Sequence, residues 1–189
     1  MLHGMGETNK HWHDLVRARG LEVQFPHLKF VFPEAPSRRI TLVNGPPMSA
    51  WFDVVCLLTT NDVRGGTHDE AGLHAGCAFL EQLVQAESVD VPLENILLVG
   101  YSQGGALALF AASKMKTFVG GVFAISSYMP MVQQVRQELE SERASDEARR
   151  TTTFRLAHGT NDPSVKFSWA KWTEETLRAG GCDVRLISY

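Results

Sequence analysis

Apolar positions along the chain form two kinds of pattern in alternation. Short stretches at residues 28–32, 96–99, 119–125, 154–157 and 184–189 are rich in aliphatic and aromatic side chains and bounded by turn formers. Stretches of that length predict strands, the one at 96–99 buried on both faces of a parallel sheet. Between them, apolar residues recur at helical spacing: Trp12, Leu15 and Val16 before Gly20; Leu73, Cys77, Leu80, Leu83 and Val84; Leu107, Phe110, Ala111 and Met115; and Val165, Trp169, Trp172, Thr176 and Leu177 before Gly180-Gly181. Thr67, with Glu70 three positions on, fits a capping box opening the second of these helices. Residues 37–47 read as irregular, with Asn44-Gly45 marking a turn. Residues 133–150 mix both charge signs with few apolar positions, the pattern of a solvated helix or a mobile insertion. Strands alternating with helices predict an α/β fold, a mainly parallel sheet with helices on both faces, in one domain over 1–189.

Composition narrows the function classes. The chain is 44% hydrophobic and 21% charged, with a net charge of −3, and offers no electrostatic footprint for nucleic acid. Cys56, Cys77 and Cys182 are too sparse for a disulfide scaffold and suit a reducing compartment. No apolar run has the length of a membrane span, so no stable membrane insertion is expected. The first residues lack the pattern of a signal peptide, which makes the cytoplasm the expected location.

The chemistry concentrates where the 96–99 strand gives way to a helix. Gly100-Tyr101-Ser102-Gln103-Gly104 is the G-x-S-x-G pattern of a nucleophile elbow. A serine on so sharp a turn is lifted above the sheet, and the helix N-terminus behind it favours developing negative charge. The plainer alternative is a tight strand-to-helix junction with a small polar residue at its tip. His3-Gly4-Met5 is a glycine-flanked turn able to aim N–H groups at an anion, or a flexible tail. Asp162 follows the 154–157 strand in an Asn-Asp-Pro turn, where a carboxylate either orients an imidazole or simply forms the turn. His11 and His13 are two apart, on different sides of a helix, which argues against metal ligation. The apolar residues around Trp51 either line an acyl slot or pack in the core.

These segments together resemble the acyl-protein thioesterase and lysophospholipase family, the phospholipase/carboxylesterase branch of the α/β-hydrolases. Residues 2–7 are similar to its L-H-G-x-G-D, 33–36 and 48–53 to its P-x-A-P and S-W-F-D, and 100–105 to its nucleophile motif. Residues 126–130 resemble its L-S-x-x-L-P, and 158–165 its acid-bearing loop. The resemblance implies Ser102 as nucleophile, Asp162 as triad acid, and an oxyanion hole from the N–H groups of Met5 and Gln103. It implies substrates that are S-acylated proteins, lysophospholipids or simple esters, no metal or organic cofactor, and Trp51, Leu57, Met129 and Val165 as candidates for the acyl channel.

Two departures stand out. The family's histidine follows the last strand in a Gly-His turn, and the last histidine here is His158, upstream of Asp162. Losing the imidazole from such a triad costs on the order of 10⁶ in turnover. The strand leading into His3-Gly4 is cut to two residues. The expectation is a serine hydrolase incomplete at both ends, lacking the triad histidine; the alternative is a catalytically inactive short isoform that retains an acyl pocket and binds lipid-modified partners.

Overall fold

The computed structural model describes residues 1–55, 68–141 and 151–189. Its central feature is a parallel sheet in the order β3 (Leu97–Tyr101), β4 (Gly121–Ile125), β5 (Thr153–His158), β6 (Asp183–Ser188). Register runs straight across, so Gly100 pairs with Ala124, Ala124 with Leu156 and Leu156 with Leu186. Successive residues of β3 and β5 alternate between buried and partly exposed, which gives the sheet two unlike faces.

One face carries Leu98, Val122, Ala124, Phe154 and Leu156, all buried. It is covered by α4 (Gln103–Lys114), whose residues from Gln103 to Ala111 are buried, and by α6 (Phe167–Ala179). Burial all round explains why α4 is apolar on every side. α3 (Glu70–Glu87) stacks on α4 through Gly76, where an added Cβ would lie 2.8 Å from a Leu107 methyl. On the opposite face α1 (Asn9–Ala18) lays Trp12 against Tyr101, ring centroids 5.9 Å apart. Leu97 and Ile187 on that face are exposed. α2 (Leu21–Gln24) and a two-residue antiparallel pair, β1 (Ser37–Arg38) with β2 (Met48–Ser49), complete the described elements with α5 (Val132–Ser141).

Several expectations change. The 28–32 segment forms no ladder: its backbone bonds go to a turn and to single groups, Leu28 N–H to Phe25 O at 3.0 Å, the Met1 ammonium to Val31 O at 2.6 Å and Asn9 Nδ2 to Phe32 O at 3.2 Å. Extended residues without a neighbouring strand do not make a sheet, however apolar they are. The strand entering His3-Gly4 survives as one parallel bridge: Leu2 N–H donates to Val99 at 2.7 Å, and Tyr101 N–H to Leu2 at 3.1 Å. The cap of α3 is Asp69, whose carboxylate accepts from Gly72 N–H at 2.9 Å; Thr67 lies outside the described residues. Residues 132–141 are a packed helix, not a solvated one, because Val132, Val135 and Leu139 recur on a single face and are buried. The remainder of that stretch, 142–150, is outside the described residues.

Candidate active site

Ser102 occupies the single residue between β3 and α4, at φ +50° and ψ −117°. A non-glycine residue held there is strained, and neighbouring structure must over-determine it. Its N–H donates to Ile125 O at 2.9 Å; its carbonyl accepts from Ala106 N–H at 3.0 Å and from the Ser127 hydroxyl at 2.8 Å. The flanking glycines permit the bend. A Cβ on Gly100 would fall 2.4 Å from the Gly104 carbonyl, and one on Gly104 would fall 2.5 Å from Leu2 O. The hydroxyl thus stands at the positive end of the α4 dipole.

The His3-Gly4-Met5 turn lies directly against that helix start. His3 is fully buried, its Nδ1 2.8 Å from Gly4 O, while Nε2 accepts from Ala35 N–H at 3.1 Å. Those two contacts assign the proton to Nδ1 and make the ring neutral, so its 3.7 Å approach to Glu34 is not an ion pair. Gly4 N–H donates to the Glu7 carboxylate at 2.8 Å and Gly6 N–H to Ser49 O at 2.8 Å, which fixes the backbone on both sides of Met5.

The third loop leaves β5. Asp162 Oδ1 accepts from the N–H groups of Ser164 and Val165, each at 2.9 Å, and Oδ2 lies 3.7 Å from His158 Nε2. His158 is buried and its Nε2–H donates to Val165 O at 2.8 Å, so its ring is used inside its own loop. The last residue of the sequence meets this loop: Tyr189 N–H donates to His158 O at 3.2 Å and Thr160 N–H to Tyr189 O at 2.8 Å. Burial, then the charges of Glu7 and Asp162, and Tyr189, hold the Tyr101 phenol above its ordinary pKa. The Gly4 turn packs on the Tyr101 ring, where an added Cβ would lie 3.2 Å away, and Ser102 and the Asp162 loop follow the carboxyl ends of β3 and β5.

All seven histidines of the sequence lie in described residues, and the two buried ones, His3 and His158, spend their rings on Gly4 O, Ala35 N–H and Val165 O. Of the expected acyl-channel residues, Trp51, Met129 and Val165 are buried and Leu57 lies outside the described residues. Met129 N–H is held by Thr173 Oγ1 at 2.8 Å. Trp51 directs its indole N–H to His3 O at 2.8 Å. Gln103, expected to contribute only its backbone, also uses its side chain: Oε1 accepts from Trp51 N–H at 2.9 Å and Nε2 donates to Phe52 O at 2.7 Å. Nothing in the local sequence signalled that grip, since its partner segment lies some fifty residues upstream. Among the described residues no group of three or more His, Cys, Asp or Glu is arranged to hold a metal ion, and no helix is long and apolar enough to cross a membrane.

A parallel sheet whose strand-to-helix turn presents a strained serine is the architecture of the α/β-hydrolases. Solved structures agree: SOBER1 of Arabidopsis thaliana superimposes with a TM-score of 0.83 at 25% identity, over 100% of this chain and 85% of that one. The fold is shared also with acyl-protein thioesterase 2 of Zea mays, with a TM-score of 0.80 at 24% identity, over 100% of this chain and 81% of that one. The chain belongs to the phospholipase/carboxylesterase family, whose model matches residues 1–189. Curated relatives include acyl-protein thioesterase 1 of Mycosarcoma maydis, 33% identical over 94% of this chain and 73% of the relative. The protein of the same name from Neurospora crassa is 29% identical over 100% of this chain and 76% of its own length.

Proposed function

We propose that the chain is the catalytic body of an acyl-protein thioesterase, a serine hydrolase that cleaves long-chain acyl thioesters from proteins in the cytoplasm. Ser102 Oγ attacks the acyl carbonyl, and the oxyanion is received by the N–H groups of Met5 and Gln103. Collapse expels the thiol and leaves an acyl-serine, which water then hydrolyses. Lysophospholipids present the same acyl group on an oxygen ester and form the second substrate class. Met129, Val165 and Leu57 are the residues proposed to meet the acyl chain.

Asp162 takes the part of the triad acid. One carboxylate oxygen is anchored by two backbone N–H groups, which leaves the other to orient an imidazole. The base of such a relay is a histidine, and the turn after β6 is the position that suits it, because Tyr189 is hydrogen-bonded to Thr160, two residues from Asp162. The observation carrying the reading is the backbone of Ser102, a non-glycine residue at φ +50° between β3 and α4.

The test is labelling with an alkyl fluorophosphonate, with Ser102→Ala as control, on this chain and on the chain translated beyond the Tyr189 codon. Strong labelling of Ser102 in the longer chain, with release of palmitate from an S-palmitoylated peptide, is expected. A natural stop codon after Tyr189, no labelling, and saturable binding of that peptide without cleavage would replace this reading with an acyl-binding protein.

A further inference from the structure

We propose that the side chains of Gln103 and Trp51 are positioning residues for the oxyanion hole, holding its two donors in one frame through a buried hydrogen-bonded bridge. The inference rests on the reading of Ser102 as nucleophile and of Met5 and Gln103 as oxyanion donors.

The two donors come from parts of the chain far apart in sequence, and the catalytic geometry depends on their mutual placement. The backbones they belong to touch: a Cβ on Gly104 would lie 2.5 Å from Leu2 O and 2.6 Å from His3 O. Two backbone bonds, Leu2 N–H to Val99 O and Tyr101 N–H to Leu2 O, register the first segment on β3 but stop three residues short of Met5. Beyond them the direction comes from the side chains. The Gln103 amide grips the backbone of the 51–52 segment at two points, as acceptor from Trp51 N–H and donor to Phe52 O. The indole of Trp51 then reaches from this gripped segment to His3 O, two residues before Met5. The His3 ring continues the line to Ala35 N–H. From the residue that follows the nucleophile to the turn carrying the other donor, every link is a directional bond.

Burial makes these links strict. Gln103 is 5% exposed, Trp51 2% and His3 0%, so a displaced polar group has no water to fall back on. The residue types are specific to the task. The amide side chain presents an acceptor and a donor side by side to an N–H and a C=O. A phenylalanine would fill most of the space of Trp51, its ring centroid 5.1 Å from that of His3, yet leave the His3 carbonyl unbonded. These roles differ from lining an acyl channel: Trp51 is turned toward His3, and its effect reaches the substrate through Met5.

The variants Trp51→Phe and Gln103→Met test the bridge in whichever chain labels at Ser102. Each is expected to lower kcat on an acyl thioester at least tenfold with KM within twofold of the parent. The double variant should be no more than threefold worse than the poorer single, since both cut one bridge. Gln103→Met removes both polar atoms, and Gln103→Glu, which in its neutral form keeps an acceptor and a donor, should lose less. Wild-type kcat in either single variant, or losses confined to KM, overturns the proposal. A second readout does not need turnover. In two-dimensional amide NMR spectra, Trp51→Phe should move the Met5 and Gln103 N–H resonances together, and unmoved resonances overturn the bridge. If the parent fails to label at Ser102, the hydrolase reading falls separately, and the NMR result alone decides whether the two segments are coupled.

Discussion

The Ser127 hydroxyl donates to the carbonyl of Ser102 at 2.8 Å, on the residue whose backbone is most strained in the elbow. That carbonyl already accepts from Ala106 N–H, so the second bond is not needed to satisfy it. Its effect is to fix the direction of the peptide plane behind the nucleophile. Ser127→Ala is expected to lose about 1 kcal/mol of stability and ~2–4 °C in Tm. Phosphonate labelling of Ser102 should slow in the same variant. A melting curve and labelling rate unchanged from the parent would remove Ser127 from the site.

Glycine substitutions separate structural necessity from tolerance. At Gly100 a Cβ would lie 2.4 Å from backbone atoms of Gly104, and at Gly120 it would lie 1.9 Å from Glu94 O. Backbone cannot give way as a flexible side chain can, so Gly100→Ala and Gly120→Ala are each expected to cost more than ~4 kcal/mol, enough to prevent folding. Gly159→Ala meets only the Tyr189 ring at 3.5 Å, an ordinary contact. It should fold with a Tm within about 2 °C of the parent. Soluble yield and thermal melts distinguish the three.

The strands and helices that carry the site were legible because each announced itself locally. β3 and α4 follow from an aliphatic run meeting a helical stripe, and the glycines between them announce the elbow. What was not legible depended on partners. The 28–32 residues have strand composition, but a strand is defined by its neighbour, and single groups such as the Met1 ammonium and the Asn9 amide meet them in place of a strand. Residues 132–141 looked solvated because charge dominates their composition, whereas three apolar residues on one face suffice to seat the helix on α6. Ser102 and Asp162 were singled out by motifs of adjacent residues. The polar grips of Gln103 on the 51–52 segment and of Ser127 on the elbow join distant loops, and no spacing rule marks them.

Asp69 serves two segments at once. Its carboxylate caps α3 through Gly72 N–H and accepts from Asp53 N–H at 2.8 Å, with Arg38 3.6 Å away. Asp69→Ala leaves both N–H groups without this partner and is expected to cost about 2 kcal/mol. Asp69→Asn keeps a single carbonyl oxygen for one of them and should recover about half. Urea unfolding midpoints of the three proteins test the order, and equal midpoints for Asn and Ala would contradict it.

Cys77 is expected to be chemically inert in the folded protein. Burial, with a smaller contribution from Glu81, raises its thiol pKa from 9.0 to about 11, which reduces the reactive thiolate roughly a hundredfold at neutral pH. Alkylation of Cys77, followed by peptide mass, should be at least ~100-fold slower in native protein than in denaturant. The same shift has a sign in stability. The folded form keeps its proton to higher pH than the unfolded chain, so this group's contribution falls as pH rises from 9 to 11. Fast native labelling would mean that α3 opens readily from α4.

Asp162→Asn separates the two uses of that carboxylate. An asparagine carbonyl oxygen can still accept from Ser164 and Val165 N–H, so the loop should persist and stability change by less than ~1 kcal/mol. Its other atom becomes an N–H donor, which faces an imidazole with the wrong polarity and favours the wrong tautomer. In a triad this substitution lowers kcat on the order of 10⁴. Asp162→Ala removes the loop anchor as well and should lower the melting temperature by ~2–4 °C in addition. Turnover and melts of the two variants, in the chain that labels at Ser102, are the measurement. Loss of activity in both with loss of stability only in the alanine variant is the expected pattern. Turnover of Asp162→Asn within tenfold of the parent would show that the carboxylate builds the loop and that another group orients the base.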